Sequence, residues 1–513
     1  MSVIDTVAET GGKSVAHRLR FLRGGTLAAY TLDELDRLAG DLARRLLADG
    51  LRPGDRVGIL ARNGIEWVLL DLAAIKAGLI TAGFEFGKFD DPAALAERYG
   101  LAGLLSDLAF EPGSTKARDL RPAVSATLEA GPGAARPPEA PPHAWALDDG
   151  TTLKFTSGST GEPKGLAATV GSIESSIAAV QSIFHHGDGD TILVFLPLSL
   201  LQQRYWIYSA LAHGHDVAVA PFEYALPVAA QVRPTVIMGV PGFFESLKKH
   251  IERGGLDPDD LAGRKAAIEA LIGPGIRYLW TGSAPASRDM LEFFDDCGMP
   301  IFEGYGMNET CIVTKNHPGA NRIGSAGRLL PGKRARIDAD GVLIVGADHP
   351  VNTAYAYCAP GESEKVFLPT GEVRTGDLAR FDENGFLWIL GRADDVVVLA
   401  NGKNVHVRGI EERIRAHAAI DQCVLFGSGQ SYLVAVVSPA EAPVPDEGRR
   451  AIEAHVGEIN ATLPKDEQVR RTLIAPEPFS IEGGLLTSQF KPKRKEILRV
   501  FGDEIAKLHG VTT

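Results

Sequence analysis

The ten residues Thr156-Ser157-Gly158-Ser159-Thr160-Gly161-Glu162-Pro163-Lys164-Gly165 hold four hydroxyls, three glycines and one lysine, directly after a predicted strand at Thr152–Phe155. A helix interior does not tolerate that glycine density with a proline inside it, so the chain must leave the strand through a loop. Glycines let backbone N–H groups wrap an anion, hydroxyls add donors and a lysine adds a point charge, which together suit a phosphate. The loop is not a Walker A motif, because Pro163 precedes Lys164 and Gly165 follows it. No Gly-x-Ser-x-Gly occurs in it, which excludes a hydrolase nucleophile elbow there. Composition alone leaves an ordinary surface turn open as the alternative.

A βα alternation surrounds this loop. Thr31 and Glu34 have capping-box spacing and open the periodic run Leu35, Leu38, Leu42 and Leu46. Arg52-Pro53-Gly54-Asp55 reads as a turn into a strand at Val57–Leu60, and Glu66–Ala77 returns to helical period. Further strands are predicted at Thr191–Phe195, Asp216–Ala220, Thr235–Met238 and Tyr278–Thr281. Gly131–Pro142 is too proline-rich for a helix and reads as an extended surface loop. After Gly324 the segments Lys333–Ile337, Val342–Val345, Gly371–Val373 and Phe386–Ile389 are short and punctuated by glycine, as in a small barrel-like or antiparallel unit. Helices at Gly409–Ala418 and Arg449–Ala461 then mix with strands at Cys423–Phe426 and Tyr432–Val437. The 513 residues fit one large domain plus a smaller one. The expected fold class is therefore α/β: a large N-terminal domain of mainly parallel α/β sheets with a small β-rich unit, then a small α+β C-terminal domain. The expected boundaries are 1–391 and 392–513, with Gly391–Asp395 between them.

Charge and cysteine usage exclude several function classes. Lys and Arg number 53 against 65 Asp and Glu, so a nucleic-acid grip built on bulk positive charge is not expected. Cys297, Cys311, Cys358 and Cys423 form no Cys-x-x-Cys pair, which argues against a zinc ribbon or thioredoxin-like site and fits reduced, buried thiols. The first ten residues lack a signal-peptide pattern, so the expected location is cytoplasmic. The most hydrophobic stretch, Trp67 to Ile80, is cut by Asp71 and Lys76 and is shorter than the ~20 residues of a membrane span. No integral membrane segment is expected.

Eight segments occur in one order along the chain. They are the Thr156 loop; Phe195-Leu196-Pro197-Leu198-Ser199; Gly282-Ser283-Ala284-Pro285; Glu303-Gly304-Tyr305-Gly306-Met307-Asn308-Glu309-Thr310; Thr375-Gly376-Asp377-Leu378; Gly391-Arg392-Ala393-Asp394-Asp395; Gly402-Lys403-Asn404-Val405; and Leu486-Thr487-Ser488-Gln489-Phe490-Lys491. In this order they resemble the adenylate-forming superfamily of acyl-CoA synthetases, adenylation domains and luciferases, above all its long-chain acyl-CoA synthetase branch. The resemblance implies ATP-dependent activation of a small-molecule acid as an AMP adenylate, with pyrophosphate released. Transfer to an acceptor follows, with a CoA or carrier-protein thiol as the first reading. It also implies a C-terminal domain that turns about a hinge, here at Asp394.

The same resemblance assigns residues. Thr156, Ser157, Gly158, Ser159, Thr160, Gly161 and Lys164 would hold phosphates. Ser283, Ala284 and Pro285 on one side, with Glu303, Gly304 and Tyr305 on the other, would enclose the adenine; Gly306, Met307 and Ile389 also count among the nucleotide-binding residues. Asp377 would accept hydrogen bonds from the ribose hydroxyls, and Arg392 would lie between ribose and phosphate. Glu309, with Thr156, would hold Mg²⁺, a hard cation that takes oxygen ligands. Asn308 stands where Thr is usual and keeps hydrogen-bonding capacity. Lys491 would neutralise charge between the acid and the α-phosphate during displacement; a solvated basic run with Lys493, Arg494 and Lys495 is its bland alternative.

Departures from the family pattern bear mostly on the acceptor. Leu200 replaces a gating His or aromatic residue, Val407 stands where Pro is common, and Phe490 replaces a Gly before the lysine. They keep a second reading open: adenylation of an unusual acid such as nitrite, with transfer to an amine. A homodimer is the expected assembly only in that symmetric dimers are common.

Overall fold

The computed structural model describes residues 2–110, 113–133, 142–156, 164–257, 259–284, 286–487 and 490–510. Its centre is a nine-stranded sheet ordered Arg328–Leu329, Cys311–Lys315, Ile301–Met307, Tyr278–Thr281, Val236–Gly239, Thr191–Val194, Asp216–Val219, Arg18–Arg23 and Thr26–Thr31. The inner pairs are parallel and the edges antiparallel. Val236–Gly239 and Tyr278–Thr281 are buried throughout, as expected of parallel strands covered by helices on both faces. A second, six-stranded sheet runs Arg118–Asp119, Gly103–Ser106, Arg56–Leu60, Ile80–Gly83, Gly150–Thr156 and Lys164–Thr169; its last pair alone is antiparallel. The expected single βα rhythm therefore divides between two sheets.

Local chemistry accounts for the helices between them. Thr31 Oγ1 accepts the Glu34 N–H at 3.1 Å and the Glu34 carboxylate accepts the Thr31 N–H at 2.8 Å, which starts helix Leu32–Ala48 as its capping box requires. Helix Ile65–Ala77 is buried on nearly every side, which explains its hydrophobicity without a membrane. Its two interrupting charges are paired inside the fold. Asp71 accepts from Arg204 at 3.0 Å and from the Tyr208 hydroxyl at 2.5 Å, and Lys76 meets Asp36 at 2.7 Å. No helix among the described residues is long and apolar enough to cross a membrane.

The small β-rich unit is a four-stranded antiparallel sheet of Lys333–Ile337, Val342–Ala347, Val373–Phe381 and Leu387–Arg392. Of the expected short strand at Gly371–Val373 only Val373 is strand; it opens a nine-residue strand, Val373–Phe381, that carries the Thr375-Gly376-Asp377 motif. Gly376 permits this: its φ of +75° interrupts regular pleating without a side-chain penalty, and an added Cβ would lie 2.9 Å from the Arg392 guanidinium. The hairpin Arg18–Arg23/Thr26–Thr31 had no counterpart in the sequence reading; Gly24 and Gly25, both at positive φ, close it. Beyond Val396 the chain forms a two-stranded and a three-stranded sheet with helices Arg408–Arg415, Asp446–Ala461 and Arg494–Leu508. Two apolar clusters there draw only on residues from Val397 onward, while the other clusters draw only on residues up to Ile389.

Candidate active site

Thr156 ends the strand that enters the phosphate-type loop, and Lys164, its register partner, starts the strand that leaves it. Ser157, Gly158, Ser159, Thr160 and Gly161 lie outside the described residues. Lys164 Nζ stands 3.2 Å from Glu362 Oε2 and 5.1 Å from the centre of the Tyr355 ring. One ammonium thus meets both a carboxylate and an aromatic face at the mouth of the loop.

The same Tyr355 reaches the expected metal glutamate. Strands Ile301–Met307 and Cys311–Lys315 are joined by a tight turn holding Asn308 and Glu309. The turn needs glycine at 306, because a Cβ there would sit 2.2 Å from the Cys311 carbonyl oxygen. Glu309 is 6% exposed, and its Oε1 accepts the Tyr355 hydroxyl at 2.6 Å. Among the described residues no donor reaches Oε2. Asn352 Nδ2 donates to the carbonyls of Asn308 at 3.0 Å and Glu309 at 3.1 Å, and Lys154 Nζ also donates to the Asn308 carbonyl. Burial pushes the Lys154 ammonium down to about 8. The hydrogen bonds here thus run to the main-chain carbonyl of Asn308 and the side chain of Glu309.

The segments expected to enclose the adenine lie beside this turn. Thr281 and Glu303 are register partners on parallel strands, so the segments 282–284 and 303–305 adjoin. An added Cβ at Gly282 would lie 3.2 Å from the Gly304 carbonyl oxygen. Ser283 and Ala284 follow it, while Pro285 lies outside the described residues. Tyr305 packs with Ile389 in a small apolar cluster, and its hydroxyl donates to Asp377 at 2.5 Å. Burial and that carboxylate hold the Tyr305 phenol well above its ordinary range. Arg392 approaches the other Asp377 oxygen at 3.4 Å and donates to the Thr375 carbonyl at 2.9 Å. Burial raises the Glu303 carboxyl to about 7, although the Gly324 N–H at 2.7 Å and the buried Lys315 act against the shift.

Lys491 belongs to the far end of the chain yet faces this site. The half-buried ammonium is lowered to about 8, first by burial, then by Arg408 and Arg392, with Asp377 opposing. The turn that carries it is tied by Thr487 N–H to Lys491 carbonyl at 2.8 Å and Lys491 N–H to Thr487 Oγ1 at 3.1 Å. Lys491 is therefore no member of a solvated basic run. Arg494, three residues on, turns away to Glu411 at 2.7 Å.

Of the sequence-predicted residues, Tyr305, Asp377, Arg392, Ile389 and Lys491 form one group, and Glu309 with Lys164 forms another, linked through Tyr355. Sequence reasoning missed Tyr355, Asn352, Lys154, Glu362 and Arg408. None falls in a glycine- or hydroxyl-rich motif, and only long-range packing brings them in. Val407 is 1% exposed and packs in the C-terminal core, which accounts for an apolar residue there. Behind Cys311–Lys315 lies a small cavity between helices Val170–Phe184 and Leu201–His213, lined chiefly by Ile177, Val180, Tyr205, Trp206, Trp280 and Ile312.

The chain is similar to known proteins along nearly its whole length. The family described as AMP-binding enzyme matches residues 5–87 and 91–348, and the AMP-binding enzyme C-terminal domain matches residues 394–511. A long-chain-fatty-acid–CoA ligase, FadD15, of Mycobacterium bovis is 28% identical, covering 91% of this chain and 90% of its own. The adenylation domain of a carboxylate reductase from Mycobacterium chelonae superposes with a TM-score of 0.80 at 20% identity, covering 99% of this chain and 91% of its own. The o-succinylbenzoate CoA synthetase of Bacillus subtilis, solved with its acyl-adenylate intermediate, gives a TM-score of 0.76 at 22% identity, covering 97% of each chain.

Proposed function

The chain belongs to the AMP-binding enzyme family, and on that premise we propose that it activates a carboxylic acid with ATP and passes the acyl group to the thiol of CoA. The single observation that carries this reading is that Lys491 lies buried within electrostatic reach of Asp377 and Arg392. A cation from the C-terminal part of the chain there faces the residues that would hold the ribose.

A carboxylate is a poor acyl donor because its leaving group would be oxide. Attack of its oxygen on the α-phosphorus of ATP forms an acyl–phosphate bond and expels pyrophosphate, which leaves AMP as a competent leaving group. Negative charge grows on the α-phosphate oxygens in that step, and a preorganised cation lowers the barrier most where charge develops. Lys491 would supply it. Asp377 and Tyr305 would orient the ribose, and Lys164 would exchange Glu362 for phosphate oxygen. Glu309 fits Mg²⁺: it is a buried carboxylate with one oxygen aimed by Tyr355 and the other without a donor among the described residues. Such a site, one carboxylate plus phosphates and water, suits this ion. The ion would supply charge neutralisation at the phosphates. A thiol then attacks the acyl carbon and AMP departs. Between the two steps residues 392–513 would turn about Asp394 as a separate domain.

Relatives named as CoA ligases favour a thiol over an amine as acceptor. The test is pyrophosphate release with hexadecanoate, octanoate, benzoate and nitrite, each with CoA or an amine. Acid-dependent release with a CoA thioester as product is expected. Release with nitrite and an amine alone would overturn the acceptor, and no release with any acid would overturn the activity.

A further inference from the structure

We propose that Phe490 is a positioning residue: its ring, seated on Phe222 across the molecule, holds Lys491 in the site. The idea rests on the adenylation reading above and deepens it. Phe490 has a φ of +57°, a left-handed conformation that is an outlier for a bulky residue. Such a backbone persists only where the surroundings hold it.

Those surroundings are visible. The Phe490 ring centre lies 5.9 Å from that of Phe222, in the single helical turn Phe222–Tyr224. Phe222 in turn contacts Phe195 at 5.7 Å, and Phe195 contacts Phe243 at 4.7 Å. Gly242 faces the same side chain, since a Cβ added there would lie 3.9 Å from Phe490. An aromatic ladder therefore runs from the lysine turn to Phe195, the first residue of the Pro197 motif. Phe490 N–H also donates to the Thr487 carbonyl at 2.8 Å, within the turn already closed by Thr487 and Lys491. Ring and ammonium sit on adjacent residues of one tied turn, so fixing the first fixes the second. Phe490 is 37% exposed and Phe222 40% exposed, so the pair can part without opening a core.

The test uses the full chain with Phe490→Asn, Phe490→Tyr, Phe222→Ala and the Phe490→Asn/Phe222→Ala double variant. Asn tolerates the left-handed backbone, so Phe490→Asn deletes the ring while leaving the turn. With the acid giving the greatest pyrophosphate release above, Phe490→Asn and Phe222→Ala are expected to lower kcat for adenylation roughly three- to tenfold, the scale of one aromatic pair. The double variant should be no slower than the worse single one, and Phe490→Tyr should restore the rate. A second readout needs no acid. After ¹³C-methylation of lysines, the Lys491 resonance, assigned with Lys491→Arg, should titrate near 8 in the unaltered chain and move up in Phe490→Asn as the ammonium gains solvent. An unmoved titration, additive losses, or a Tyr variant as slow as Asn would overturn the proposal. If no acid is activated, the adenylation reading fails on its own and the titration still decides the positioning.

Discussion

Lys491 offers the sharpest test because its surroundings oppose its charge before substrate arrives. Its ammonium is lowered from 10.5 to about 8, and at ~1.36 kcal/mol per pKa unit the site disfavours the cation by about 3 kcal/mol. Because the value is depressed, the cation proposed to serve adenylation is present below pH 8 and is lost as pH rises through it. ATP bound as proposed would bring phosphate oxygens to that ammonium, offset burial and the repulsion from Arg408 and Arg392, and so raise the pKa in the complex. Two consequences can be measured. The kcat/KM for ATP should fall tenfold per pH unit above about pH 8, while the fall in kcat lies at higher pH. Calorimetry at pH 9 in buffers of different ionisation enthalpy should show uptake of nearly one proton on ATP binding, against roughly a tenth of a proton at pH 7. Lys491→Arg keeps its charge throughout and should abolish both the limb and the uptake. A kcat/KM flat to pH 9.5, or the same limb in the Arg variant, would refute the assignment.

Tyr355→Phe removes the 2.6 Å donor to buried Glu309, a charge-assisted bond of about 1.5–3 kcal/mol; scanning calorimetry without nucleotide should show a lower midpoint, and an unchanged one would sink the role given to Tyr355. Gly306→Ala drives a Cβ against the Cys311 carbonyl, and at ~1–3 kcal/mol of overpacking pyrophosphate exchange should drop at least fivefold with the circular dichroism spectrum preserved. Wild-type exchange in that variant would show that the turn can shift freely. Glu303 has a raised carboxyl near 7, so it weakens the fold increasingly as pH climbs from its unfolded value near 4.5 to about 7, and by a constant amount above that. Glu303→Gln should therefore raise the thermal midpoint at pH 8 and leave it unchanged at pH 4; equal shifts at both would disprove the titration.

The parts of the site legible in the sequence share one property: their backbone conformation demands particular residue types. Gly376 at positive φ and Gly306 against a carbonyl cannot be replaced freely, so the motifs around Asp377 and Glu309 stand out in any reading. The helix opened by Thr31 and Glu34 is legible for the same reason, since the cap is a local contract between side chain and backbone. Tyr355 and Lys154 are ordinary residues in ordinary local settings. Tyr355 reaches Glu309 from 46 positions away and Lys154 reaches the Asn308 carbonyl from 154, and only the pairing of whole sheets determines those distances. The strand through Asp377 runs well past the expected Gly371–Val373 because Gly376, at positive φ, lies in a register shift of the sheet and does not end the strand.

The contacts that bring Lys491 to the nucleotide face differ in kind from those inside either part of the chain. Arg494 is held to Glu411 at 2.7 Å within the C-terminal part, beside a wholly buried core. Across the molecule, Arg253 meets Glu441 at 2.9 Å with 71% and 78% of their side chains exposed. An exposed ion pair contributes about 0–1 kcal/mol, and the half-exposed Phe222–Phe490 pair about 0.5–1.5 kcal/mol beyond its buried area. Together these two contacts amount to the strength of one or two ordinary interactions. The proposed two-step reaction would need such a balance: firm enough to set Lys491 during attack on phosphorus, weak enough to release it before a thiol arrives. Strengthening the contact should therefore separate the steps. An Arg253→Cys/Glu441→Cys pair joined by a reducible bismaleimide, which spans the length of the lost side chains, should preserve the first burst of pyrophosphate and suppress thioester formation, with reduction restoring it. Undiminished thioester turnover by the linked form would show that Lys491 never leaves.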